Sequence, residues 1–451
     1  MPYCDAISKI ISALETAGWQ REPLGPSDDS RTSLSAHLCE AVALSKQGYN
    51  LFPDPYYRLG HATNPSARFP HNPHMSLLYA GIIFGDLALV RTQLESPHRP
   101  FDINADSPVF GRPLDLAVTH ERLDMIQYLM NHGARAGWPT YIELHKISPA
   151  LRAIPPRAVP ARWPLYRACI TGNIRVVELI LANIEGVWKP AYDDWSIFLR
   201  VHEISIIAAA ERGYTEVVQF LLGAAATNGA SKKYMGKLAR GAMVAASFHG
   251  EVAVVEMLLE AAVPFCFHDE TSLQAAVLGT QKDMLVFLLS RGAGGERNHC
   301  RGVDAQSALS LAIEAGHLDM VELLLAHGSD INGDGLSGCS TGVSNRSIYV
   351  AALYGRVGIL RLLLKGGADL QVKIVTGSRG MKTTVGEWAL RNAVSKGFVG
   401  VMICLLEAGV SSRHGDSRLD PRSVAEHYRQ KKCLEALDEV GVMEMQYCEA
   451  Q

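Results

Sequence analysis

The sequence predicts an all-α protein built as a stack of short helix pairs, and three observations carry that reading. The first is repetition. The stretch SALSLAIEAGHLDMVELLLAHGSDIN (307–332) has near-copies at SIYVAALYGRVGILRLLLKGGADL (347–370) and GRPLDLAVTHERLDMIQYLMNHGA (111–134). The second is period: apolar residues within each copy recur every three to four positions, the spacing of one helix face. The third is punctuation, a glycine in the middle of most copies and another at the end. A length of 451 residues would by itself suggest about three domains. Repetition every thirty to fifty residues replaces that count with a solenoid, because a lone helix pair cannot bury its apolar face and must stack on its neighbours.

Aligning the copies on Gly316 defines a common frame. An apolar residue stands seven positions before this anchor and a small one four before it. Two apolar residues follow at four and five after it, then a Leu-rich run. The frame recurs at Gly85, Glu121, Gly172, Gly213, Gly250, Thr280, Gly316, Gly355, Gly397 and Arg429, giving about ten repeats. Each repeat has its local logic. Leu and Ala three apart make a short first helix whose small residues admit the next repeat closely. Pro113, Pro164 and Pro421 sit where a first helical turn tolerates a missing N–H. The anchor suits a tight turn with positive φ. The second helix stops at a terminal glycine such as Gly292, Gly328, Gly367 or Gly409. Glu121 stands where a left-handed turn favours glycine, so Glu121→Gly is expected to stabilise the N-terminal repeats.

The frame resembles the ankyrin repeat, whose signature runs T-P-L-H-x-A-A-x-x-G-H, then V-V-x-L-L-L-x-x-G-A-x-x-N. Residues 307–332 match it best, keeping Gly316-His317 and Asp330-Ile331-Asn332. The resemblance covers roughly residues 76–440 and implies an ankyrin-type helix-pair solenoid with finger-loop insertions and a helical N-terminal cap. It implies binding of another protein rather than a shared chemistry. Asn332 also stands in a context similar to that of hydroxylated ankyrin-repeat asparagines, although closing the finger turn is reason enough for an Asn there.

Successive anchors lie 36, 51, 41, 37, 30, 36, 39, 42 and 32 residues apart. Excess over a period of about 33 marks insertions: 135–162, rich in proline; 185–203, with Trp188, Tyr192 and Trp195; and 371–388, whose β-branched residues around Gly-Ser-Arg-Gly suggest a hairpin. Residues 1–75 lack the frame and read as a cap, with amphipathic segments at about 5–18 and 33–46 around a loop. Residues 441–451 read as a tail.

Composition narrows the function classes. A net charge of −3 and a pI near 6.6 carry no nucleic-acid or membrane signature, and no apolar run is long enough to span a bilayer. Nine cysteines without a CxxC pair, with Cys169, Cys404 and Cys433 at core positions, suggest reduced thiols and a cytoplasmic or nuclear location. His61, His71 and His74 have metal-like spacing but lack the partners of a metal centre. Lys232, Lys233, Lys237 and Arg240 read as a solvated helix face. No phosphate loop or hydrolase motif is present, so no catalytic residue, cofactor or metal is expected.

Within the resemblance, the residues one and two places before each anchor face the concave groove. Those that stand out as binding candidates are Phe84, His120, Glu211, Arg212, Phe248, His249 and Tyr354, joined by Trp188, Tyr192 and Trp195 of the second insertion. Aromatic and Arg side chains of this kind are enriched at binding hot spots. The leading expectation is a protein-binding scaffold. The alternative is a small-molecule-binding protein or enzyme with a pocket under 135–162 and 185–203 and acid–base groups from His120, His249, Glu211 or Tyr354.

Overall fold

In the computed structural model the described residues are 2–18, 38, 72–95, 101–105, 110–136, 164–184, 197–261, 271–292, 308–332, 346–376, 381–414 and 416–439. Packing divides the chain into an N-terminal body, Met1–Ala242 with Glu256–Phe265, and a C-terminal body, Met243–Val255 with Cys266–Gln451.

The N-terminal body begins with α1 (Pro2–Thr16), which packs on the first repeat, α2 (Pro73–Phe84) and α3 (Leu87–Leu94). The following pairs are α4 (Pro113–Thr119) with α5 (Leu123–Asn131), α6 (Pro164–Thr171) with α7 (Ile174–Ala182), and α8 (Ile197–Ala210) with α9 (Thr215–Thr227). First helices stack on first helices, α2 on α4 on α6 on α8, and α3, α5, α7 and α9 form a second row. The frame residues Leu78, Leu114, Leu165 and Ile206 and the small residues Ala117, Ala168 and Ala209 are buried between the rows. The proposed prolines start their helices, as does Pro73, whose preceding Asn72 accepts a bond from the His74 N–H. Residues 197–203, the end of the expected insertion 185–203, are helical and form the first turns of α8. α10 (Lys232–His249) opens with the basic cluster, and its Lys237 pairs with Glu203 of α8 at 2.9 Å.

The C-terminal body holds the end of α10, the start of α11 (Val252–Glu260), and four further pairs. These are α12 (Thr271–Leu278) with α13 (Lys282–Ser290), α14 (Ala308–Ala315) with α15 (Leu318–Ala326), α16 (Ser347–Leu353) with α17 (Val357–Lys365), and α18 (Val385–Lys396) with α19 (Val399–Glu407). α20 (Pro421–His427) closes the first-helix row, and residues 431–439 form a last helix. The expected hairpin is present: β1 (Lys373–Thr376) pairs antiparallel with β2 (Met381–Thr384). It feeds α18 directly, because Thr384 and Glu387 make a reciprocal capping box. Asn332 closes its finger onto the next repeat by accepting the Asp369 N–H at 2.7 Å, as Asn104 does for Arg135 at 2.8 Å. Cys169, Cys404 and Cys433 are buried free thiols.

All ten anchors have positive φ, and Glu121, Thr280 and Arg429 are the non-glycine residues in that region among those described. The turn therefore imposes its geometry even where the residue resists it. The cost differs among the three. Glu121 recovers part of it, since its carboxylate accepts a bond from Asn173 Nδ2 at 2.7 Å. Thr280 is β-branched, the residue class for which positive φ is most strained. The expected order follows: Thr280→Gly stabilises by about 1 kcal/mol, and Glu121→Gly stays within about 0.5 kcal/mol of neutral. Urea titration of the two variants checks it, and a clear gain for Glu121→Gly alone would reverse the order.

A second use of the anchor was not legible in the sequence. At Gly85, Gly172, Gly250, Gly316, Gly355 and Gly397 the residue after the next anchor lies over the anchor glycine. A Cβ on Gly172 would stand 2.6 Å from the Tyr214 ring, and one on Gly316 would stand 2.9 Å from the Arg356 guanidinium. The same residue stitches repeats together: Arg356 Nη2 donates to the Glu314 carbonyl at 2.6 Å, and Gln430 Nε2 to the Ser395 carbonyl at 3.0 Å.

His202 on α8 is fully buried, and desolvation pushes its pKa down to about 4, an effect that a bond to the Leu221 backbone partly offsets. A depressed histidine is neutral when folded but takes a proton when unfolded below about pH 6.5. Stability is therefore full above that pH and falls as pH drops toward 4, by roughly 3 kcal/mol at most. His202→Leu should flatten this part of the profile. Parallel pH–stability curves for the two proteins between pH 4 and 7 would contradict the assignment.

Candidate functional site

The candidate residues split between the bodies. In the N-terminal body they are partly covered. Phe84 ends α2 and is half-buried, and His120 caps α4 with its Nε2 atom buried. Glu211 and Arg212 pair with each other at 3.7 Å, and Arg212 Nη1 also donates to the Ala208 carbonyl at 3.2 Å. The Arg212 guanidinium thus serves the turn after α8. Trp188, Tyr192 and Trp195 lie outside the described residues.

In the C-terminal body the frame positions are open. Among the described residues the exposed large hydrophobics are Phe248, Leu278, Val286, Leu318, Tyr354 and Tyr428, and four of these six stand one or two places before an anchor. Phe248 is the penultimate residue of α10, Leu278 the last of α12, Tyr354 the cap of α16 and Tyr428 the cap of α20. Since α12, α14, α16, α18 and α20 stack in sequence, the frame turns four separated sequence positions into one row. Phe248 is 42% exposed and Leu278 57%, so water rather than protein covers them. His249 meets the Phe248 ring edge-on at 5.1 Å. The Tyr354 hydroxyl donates to the Glu314 carboxylate, which raises its pKa, and Lys396 Nζ lies 5.9 Å from the Tyr354 ring centroid.

Sequence reasoning missed Leu278, Lys396 and Tyr428 as candidates, although the frame assigned Leu278 and Lys396 to the right face. It gave no way to rank exposure along the row. Gly279 completes the geometry. A Cβ there would stand 1.8 Å from the Phe248 carbonyl oxygen, so α12 ends directly against the backbone that carries Phe248.

Among the described residues no group of three His, Cys, Asp or Glu could hold a metal ion, and no helix is long and apolar enough to cross a membrane. His74 Nδ1 instead bonds Gln93 Oε1 at 2.9 Å, while His61 and His71 lie outside the described residues.

Residues 273–374 match the family described as "Ankyrin repeats (3 copies)". This stretch of the chain carries ankyrin repeats. Ankyrin-repeat relatives include the B-cell lymphoma 3 protein homolog of Mus musculus, 26% identical over 217 residues, covering 47% of this chain and 45% of the relative. Another is the Ankyrin repeat and KH domain-containing protein mask-1 of Caenorhabditis elegans, 31% identical over 127 residues, covering 28% of this chain and 4% of the relative. The chain therefore spans less than half the length of the curated relatives it matches. Among solved structures, the human ASB11 ankyrin repeat domain aligns at a TM-score of 0.35 and 22% identity, over 49% of this chain and 95% of that one.

Proposed function

We propose that the chain is a protein-interaction scaffold and that its partner docks on the row Phe248, Leu278, Tyr354 and Tyr428 of the C-terminal body. The carrying observation is the concentration of exposed large apolar side chains at positions that the repeat frame sets in line. Burying Leu278 or Phe248 on its own chain would be the ordinary outcome of folding, and their exposure in a row is what a partner would use. A stack of helix pairs suits the task, because a rigid surface loses little conformational entropy when it binds. Ankyrin repeats generally mediate protein–protein interaction, and the ankyrin-repeat relatives fit this reading. No observation favours the enzymatic or small-molecule alternative, whose pocket wall at 135–162 and 185–203 falls largely outside the described residues.

The test is capture of partners from cell extract by the chain and by the double variant Phe248→Ala with Tyr354→Ala. Each truncation removes about 2 kcal/mol of binding, roughly 30-fold, while such exposed positions leave thermal unfolding nearly unchanged. Undiminished capture by a folded double variant would remove the row from the account.

A further inference from the structure

The same row also carries information about what it takes, an inference that rests on the docking reading above. Its chemistry is graded. At one end Phe248 and Leu278 are exposed on helices that bring no charge to their frame positions other than His249. In the middle Glu314 is the carboxylate of the row, and it is engaged, holding the Tyr354 hydroxyl. At the other end Tyr354 and Tyr428 flank Lys396, and the anchor Arg429 follows directly. Lys396 rests against the Tyr354 ring and, like Arg429, forms no ion pair among the described residues. The far end thus offers two aromatic faces and two exposed cations, with no carboxylate among the described residues paired to either.

The row is one side chain wide, since it is built from one or two positions per repeat. Stacked helices stand about 8–10 Å apart, so the six helix ends from α10 to α20 span roughly 45 Å. An extended strand rises about 3.3 Å per residue, which makes one repeat equal to three residues and the whole row equal to about fourteen. A helix, 10–12 Å across with its side chains, is broader than a row of single side chains.

We infer that the row takes an extended peptide segment of about fourteen residues, apolar where it crosses Phe248 and Leu278 and acidic where it crosses Lys396 and Arg429. Charge complementarity fixes the sign. A basic segment would set its cations against Lys396 and Arg429, and a wholly apolar one would desolvate Lys396 without replacing its water.

The probe is a displayed library of random 15-residue peptides, selected on the whole chain and on Lys396→Glu, Lys396→Gln and the Phe248→Ala/Tyr354→Ala double variant. Affinities of the enriched peptides are then measured by fluorescence anisotropy at low and high salt. The expected result is enrichment of peptides with aliphatic or aromatic residues toward one end and Asp or Glu toward the other. Lys396→Glu should weaken them at least tenfold, Lys396→Gln should weaken them less, and salt should reduce the difference. The Gln variant guards against a fold effect of Glu at the C-terminal end of α18. Peptides that lose affinity in the double variant but show no acidic bias and no response at Lys396 would overturn the inference and leave the docking row standing. Peptides indifferent to all the variants would overturn both. Selection that enriches nothing would overturn the extended segment as the occupant.

Discussion

Replacing Gly279 with alanine is expected to destabilise the C-terminal body by about 3 kcal/mol or more. The argument is steric and local. Gly279 precedes the anchor Thr280, and a methyl group there would fall 1.8 Å from the Phe248 carbonyl oxygen and 2.7 Å from its carbonyl carbon. No rotamer relieves a clash with backbone, so the ends of α10 and α12 must separate. Overpacking of a built contact costs about 1–3 kcal/mol and occasionally more, and this overlap belongs at the upper end. The control is Gly358→Ala on α17, where an added Cβ meets nothing within 4 Å. That change should gain roughly 0.5–1 kcal/mol from helix propensity alone. Denaturant titration of both variants should move the midpoint in opposite directions. Equal shifts would mean that α12 does not approach Phe248 as described. Because Phe248 heads the proposed docking row, Gly279→Ala should also weaken partner capture by whatever fraction remains folded.

Arg112→Ala is the second large effect, expected in the N-terminal body. Arg112 and Asp115 are 8% and 2% exposed and form a two-pronged pair, with Nε to Oδ2 at 3.0 Å and Nη2 to Oδ1 at 3.1 Å. The pair also secures the start of α4, since the Arg112 backbone N–H points at Asp115 Oδ2. Removing the guanidinium leaves a carboxylate in a buried site, and breaking such a pair costs about 3–5 kcal/mol. Replacing both partners, Arg112→Met with Asp115→Leu, should restore much of the loss, because no buried charge is then stranded. Chemical unfolding of the single and double variants separates the two cases. A double variant no better than the single would show that the pair's value lies in the cap rather than in the charge.

The sequence spoke clearly about the fold because the repeat frame tests each position about ten times. Leu, Ala and the turn residue recur in register, and the turn geometry proved strict enough that Glu121, Thr280 and Arg429 adopt it without a glycine. What one chain could not reveal was contact across repeats. The residue after the anchor is Arg122, Tyr214, Gln281, Arg356, Phe398 or Gln430 in different repeats, chemically unlike side chains in one role: each lies over the preceding anchor glycine. A pattern read by residue type misses a role defined by place. Exposure was equally hidden. Phe84 and Phe248 stand one and two places before their anchors, on the face the frame names, yet the first is half-buried and the second open, because exposure depends on what the adjoining segments cover. The frame named Arg212 as a candidate but could not show that Glu211 and the Ala208 carbonyl hold it. The frame thus named a face, and only packing could say which part of it remains available.

The most direct test of the docking row is site-specific photo-crosslinking in cells. A benzophenone amino acid placed at Leu278, 57% exposed within the row, is compared with one at Val286, 40% exposed on the second helix α13. Both sites are apolar and open, so they differ in position rather than in accessibility. The account predicts discrete protein adducts from position 278 and none above background from position 286, with the Leu278 adducts lost when Tyr354→Ala and Phe248→Ala are added. Adducts from position 286 alone, or the same adducts from both positions, would contradict it.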